Sequence, residues 1–132
     1  PVVAAFPKNP KALLSLGKVY LHMDRLAEAE RTFLQANEIR PSARLCILAA
    51  QVMIAGRRLE EATKLLDQAE TLEPLHGGIF LARGDMLAMR GRTDDAFVAY
   101  EHARKVDPTR AAAEAQSRIT HLQEVLRKVN PP

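Results

Sequence analysis

The sequence holds no tryptophan, one cysteine and few aromatics, 5% of its residues. The lone Cys46 has no partner for an internal disulfide and no CxxC neighbour for a thiolate metal site. It lies inside an apolar stretch and reads as a small buried hydrophobe, so cysteine usage does not identify a compartment. No apolar run reaches the ~20 residues that a membrane-spanning helix needs. The nearest approach, LCILAAQVMIAG (45–56), is bounded by Arg44 and by Arg57 and Arg58. PVVAAF (1–6) is too short for the apolar core of a signal peptide with its flanks. A start at Pro1 rather than methionine is expected of a segment of something longer, or of a processed form.

Charge of one sign is also missing. The net charge of +3 is spread among interleaved acids, as in LEEATKLLDQAE (59–70), and no basic block with aromatics argues for nucleic acid. There is no glycine-rich phosphate loop. The four histidines, His22, His76, His102 and His121, fall at unrelated places with no HExxH spacing. They read as surface or inter-helix residues, and His76-Gly77-Gly78 reads as a turn. Glu60-Glu61 and Asp94-Asp95 fit the first turn of a helix, where acids complement the dipole. No Ser/His/Asp set follows from spacing. Neither catalysis, a metal nor a cofactor is expected.

What is present is helix-forming and periodic. A chain of 132 residues, 47% hydrophobic and 27% charged, is expected to form one domain with a real core. Three segments, 10–41, 43–74 and 77–108, align with one residue of slippage. Ala29, Ala62 and Ala96 recur at spacings of 33 and 34. So do Phe33, Leu66 and Tyr100, then Ala36, Ala69 and Ala103, then Pro41, Pro74 and Pro108. Gly17, Ala50 and Gly84 share an earlier slot, and Tyr20, Met53 and Leu87 another.

Each unit reads as two helices. Leu13, Leu16, Tyr20 and Met23 follow helical spacing, and Leu26, Ala29, Phe33, Ala36 and Ile39 do so again. Asp24 is expected to cap the second helix, and Thr93 with Asp94-Asp95 its counterpart in the third unit. The recurring proline stops each second helix. Small residues at Gly17/Ala50/Gly84 and Ala29/Ala62/Ala96 allow two helices to approach closely, with Phe33, Leu66 and Tyr100 filling the gap to the next unit. Beyond Pro108, Ile119, Leu122, Leu126 and Val129 stripe one side of a last helix, suited to end a stacked array.

Leu16-Gly17-x-x-Tyr20, Ala29-x-x-x-Phe33-x-x-Ala36 and Pro41 resemble the tetratricopeptide repeat pattern, over about residues 10–108. The resemblance implies an all-α solenoid of antiparallel helix pairs in a right-handed superhelix, about seven helices in all. Repeats 10–42, 43–76 and 77–110 would follow a tail at 1–9 and precede a capping helix at 109–129. The family's early aromatic is Leu13, Cys46 and Phe80 here, and the second unit lacks its usual Gly and Tyr. Arg83 stands for the leucine before the third unit's glycine, so that helix is expected to pack differently.

The family's first helices line a concave groove that binds peptides. Its carboxylate clamp slots fall here on Leu14, Lys18, Leu48, Gly78 and Ala82, which do not match, so recognition of a chaperone's acidic tail is not expected. The groove should instead present Leu14, Leu21, Ile47, Leu48, Ile54, Leu81, Ala88 and Met89, with Lys18, Gln51 and Asp85 as its polar groups. Such a surface suits an apolar or amphipathic partner segment, bound with little dependence on salt. Residues 1–6 are a rival occupant, which would make the chain self-associate; the alternative is a remnant of a preceding linker. Two other functions stay open: a regulatory or substrate-positioning arm of a larger enzyme, and a stand-alone assembly or secretion chaperone.

Overall fold

The computed structural model describes residues 9–130, so PVVAAF and the self-association reading attached to it lie outside the described residues. Those residues form seven α-helices and no strand. In chain order they are α1 (Pro10–His22), α2 (Leu26–Ile39), α3 (Ala43–Ala55), α4 (Leu59–Leu72), α5 (Gly77–Met89), α6 (Thr93–Val106) and α7 (Pro108–Val129). Pairs α1/α2, α3/α4 and α5/α6 pack closely, each pair one repeat of the sequence. The second helices end at Ile39, Leu72 and Val106, two residues before the recurring proline. Pro108 goes on to serve as the first residue of α7, where its missing N–H costs nothing.

The turn inside each pair is the same device three times. Asp24, Arg57 and Gly91 take positive φ, 58°, 61° and 77°. The next residue's N–H then reaches back to close the first helix: Arg25 to the Tyr20 carbonyl, Arg58 to Met53 and Arg92 to Leu87, all at 2.9 Å. This is the Schellman closure. Asp24 therefore ends the first helix and does not cap the second. Nor does Thr93, which is already the first residue of α6. The residue before each second helix is an arginine, Arg25, Arg58 or Arg92, with no side-chain cap. Each arginine pairs with an acid three residues on: Glu28 at 2.6 Å, Glu61 at 3.4 Å and Asp95 at 2.7 Å. Arg58 also pairs with Glu30 of α2.

A left-handed residue other than glycine costs about 1–2 kcal/mol, and the third repeat avoids that cost with Gly91. Arg57→Gly is therefore expected to stabilise the protein by about 1 kcal/mol, read as a higher urea midpoint. A lower midpoint would mean that the Arg57 side chain contributes more than its backbone costs.

The chain groups into two compact units, Pro1–Pro74 and Leu75–Pro132. In the first, Leu13, Ala29, Phe33, Ala36, Leu45, Ala49 and Val52 form one core cluster. In the second, Leu81, Ala96, Tyr100, Ala103, Ala111, Ala115 and Ile119 form the other. Size matching between the helices of a pair explains the recurring slots. A Cβ on Gly17 would stand 2.4 Å from Cε1 of Phe33, and one on Gly84 2.5 Å from Cε1 of Tyr100. Thus the bulky residues lie over their own repeat's small slot, and Phe33 reaches the next helix pair as well. In the second repeat the slot is Ala50 and its partner the smaller Leu66, both fully buried.

Gly77 and Gly78 are not a turn. His76 precedes α5, its Nδ1 accepting the Gly78 N–H at 3.1 Å, and the two glycines open the helix. A Cβ on Gly77 would stand 2.5 Å from Ala111 Cβ and 2.9 Å from Asp107 Cβ. The start of α7 passes too close for any side chain there. Helix α7 packs on α6 and α5. It buries Ala111, Ala115 and Ile119, while Val129 at its end is 69% exposed.

Candidate functional site

Helix α3 is apolar on nearly every side. Leu45, Ala49 and Val52 join the first unit's core, and Cys46, Ala50 and Met53 are buried too. The Cys46 thiol donates to Oδ1 of buried Asn37 at 3.6 Å, and burial raises its pKa. That leaves one strip open along the helix. Leu48 is half-buried, and Gln51 and Ala55 are exposed.

The structure divides the residues expected to face a groove. Leu14, Lys18 and Leu21 of α1 and Leu48 of α3 are half-buried, with the three leucines packed against the first unit's core and Gln51 open beside them. Ile47 and Ile54 do not belong with them. They are 5% and 7% exposed, so an occupant has no access to them and the open floor on α3 narrows to Leu48, Gln51 and Ala55. Leu81 of α5, 6% exposed, is likewise a core residue of the second unit. Ala88 and Met89 are half-buried.

Asp85 is not a free acid. Its Oδ1 accepts the Tyr100 hydroxyl at 2.7 Å and Arg118 Nε at 2.9 Å, and Arg118 continues to Glu114 at 2.6 Å. Burial, then the hydrogen bond to Asp85, push the Tyr100 phenol far above its ordinary range, which keeps it a donor. Arg118 lies on α7, so this network ties α7 to α5 and α6. The sequence shows Arg118 only as one polar residue among several, without a signal for its partner. Arg83, in the slot where leucine is usual, lies over the Phe80 ring at 5.8 Å, and Phe80 meets His102 edge-on at 4.4 Å.

Among the described residues, every buried side-chain nitrogen and oxygen has a hydrogen-bond partner. No three His, Cys, Asp or Glu side chains among them stand close enough to hold a metal. No helix of the described residues is long and apolar enough to cross a membrane. What the first unit offers is a row of half-buried leucines flanked by Lys18 and Gln51, and a cleft beside it. That cleft, about 360 Å³, opens between the starts of α1 and α3 and is lined by Leu14 and Leu45 together with Lys11, Arg40 and Arg44.

Comparison with known proteins agrees with this architecture. Family models described as tetratricopeptide repeat match residues 10–42 and 48–111. The human protein O-mannosyl-transferase TMTC3 is 26% identical over 133 aligned positions, which cover 89% of this chain. The chain spans only 14% of that protein's length. Among solved structures, MamA superposes with a TM-score of 0.69 at 23% identity, covering 81% of this chain and 63% of its own. The first TPR of Spaghetti (RPAP3), bound to the HSP90 peptide SRMEEVD, superposes with a TM-score of 0.71 at 17% identity, covering 89% and 92%. At these identities the likeness of the structures is one of fold.

Proposed function

The chain belongs to the tetratricopeptide repeat family, and from that premise we propose that it receives an apolar or amphipathic protein segment on its first helices. The fold is that of a protein-interaction scaffold. The reading is carried by one observation: Leu14, Leu21 and Leu48 stay half-open although the core beneath them is closed. Apolar side chains of a partner would complete their burial, each worth about 1.5–3 kcal/mol. The related Spaghetti domain holds an acidic peptide. In this chain the clamp slots carry Leu14, Lys18, Leu48, Gly78 and Ala82, a single cation among apolar and small residues, which supports a groove of a different type. On this reading the module binds and does not catalyse.

Leu48→Asp is expected to weaken the best peptide selected from a random displayed library by about tenfold or more, the loss of one apolar anchor. Circular dichroism should show the helices intact. If helicity collapses, Leu48 is core, and Gln51→Asp, exposed on the same strip, carries the test instead. Unchanged affinity in a folded Leu48→Asp or Gln51→Asp variant contradicts the reading.

A second reading has an observation of its own. The human O-mannosyl-transferase matched above is a protein of which this chain spans 14%, which favours repeats that form the arm of a larger enzyme. A catalytic domain in the full coding sequence supports it, and a coding sequence of repeats alone counts against it.

A further inference from the structure

We propose that the cleft between the starts of α1 and α3 is an acid-reading subsite, taking an Asp or Glu side chain of the partner segment whose apolar residues lie on Leu14 and Leu48. This deepens the reading above and rests on it. Every charge in the cleft's wall is positive: Lys11, Arg40 and Arg44, over a floor of Leu14 and Leu45. All three cations are exposed, and none forms an ion pair or side-chain hydrogen bond among the described residues. The chain does not lack acids, with 16 against 19 basic residues. Several of them are engaged elsewhere: Glu28, Glu30 and Glu61 at Arg25 and Arg58, Asp107 at Arg110, and Asp85 at Arg118.

Position sharpens the case. Lys11 and Arg44 are the second residues of α1 and α3, where the positive end of the helix dipole disfavours a cation and favours an acid. Helices α2, α4 and α6 follow that rule with Glu28, Glu60-Glu61 and Asp94-Asp95; α1, α3, α5 and α7 have no acid in their first turn, and α1 and α3 place these cations there instead. Two cations held against local electrostatics, on the wall of one cleft, are balanced when an anion binds there. Asn9 Oδ1 already accepts the Lys11 and Ala12 N–H groups, and Ser42 Oγ that of Leu45. The attraction therefore comes from the side chains, and the guanidinium groups of Arg40 and Arg44 can grip a carboxylate with two donors each. Charge complementarity runs against the chain's own residues 1–8, PVVAAFPK, which hold a lysine and no acid. The occupant is a partner segment with an acid beside its apolar residues.

The test is selection of a random displayed peptide library on the wild-type protein and on Lys11→Glu/Arg44→Glu. Acids at those positions suit the helix dipole, so the variant should melt no lower than wild type while binding worse. Wild-type selection is expected to enrich Asp or Glu next to apolar residues. The best such peptide should bind the variant about tenfold more weakly or worse. Unlike the salt-indifferent binding expected from a groove without charge, its affinity for wild type should fall as salt is added, because Lys11, Arg40 and Arg44 line the cleft. Enriched peptides without acids, bound equally by both proteins and indifferent to salt, overturn the subsite and leave the apolar face standing. No enrichment on wild type overturns the apolar face, and the subsite with it. A variant that melts below wild type shows that Lys11 and Arg44 serve the fold, which also overturns the subsite.

Discussion

Phe33→Ala is expected to cost about 3–5 kcal/mol, the range for removing a large aromatic from a core that cannot collapse around the hole. Phe33 has no exposed surface, lies over Gly17 at a distance that leaves no room for a Cβ, and joins residues of α1, α2 and α3 in one cluster. The same geometry predicts a compensation. Gly17→Ala alone overpacks the pair and should cost about 1–3 kcal/mol. Gly17→Ala together with Phe33→Leu should recover most of that loss, because the second repeat already combines Ala50 with Leu66. Urea unfolding of the two single variants and the double variant gives the coupling directly. Losses that simply add would show that Gly17 and Phe33 do not share one space.

Asp107→Ala should be the most damaging single change in the second unit outside its apolar core, at about 1–3 kcal/mol. The carboxylate, 8% exposed, accepts the buried Gly77 N–H and Arg110 Nε, both at 2.7 Å. Removing it takes away the partner of that buried N–H at the start of α5, where α7 packs too closely for a Cβ on Gly77. Burial works to raise the carboxyl's pKa, but the Gly77 N–H and Arg110 outweigh it and hold it below its ordinary 3.8. A carboxylate held low in the folded state stabilises the protein fully above its unfolded value, and that contribution fades as pH falls through the folded one. The stability gap between wild type and Asp107→Asn should therefore be constant at neutral pH and shrink below about pH 4. A gap that does not change with acid would mean that the charge on Asp107 is not what holds the start of α5 to the start of α7.

The repeats were legible in the sequence because each column of small, bulky and proline residues answers one steric requirement, and those requirements recur at the same interval. The turns were not. Asp24 suits an N-cap by residue type, yet the backbone uses its position for a left-handed helix end, a role open only once Arg25 can reach back to Tyr20. Gly77-Gly78 has the composition of a turn, and only the approach of α7 reveals a helix start that must lack a Cβ. On α3 the difficulty was phase. A helix with apolar residues all round gives periodicity no polar face to fix its orientation, so Ile47 and Ile54 looked as open as Leu48. The basic cleft was hidden for the opposite reason. Interleaved acids make the chain look balanced, and the fold pairs several of them with other arginines.

Amide chemical-shift mapping by NMR, with the best peptide from the wild-type selection, tests the central claim most directly. The account predicts shifts concentrated on Lys11, Leu14, Lys18 and Leu21 of α1 and on Arg44, Leu48 and Gln51 of α3, with α2 and α4 largely still. Shifts centred instead on the outer face of α6, at Val98, Glu101 and Lys105, would contradict it.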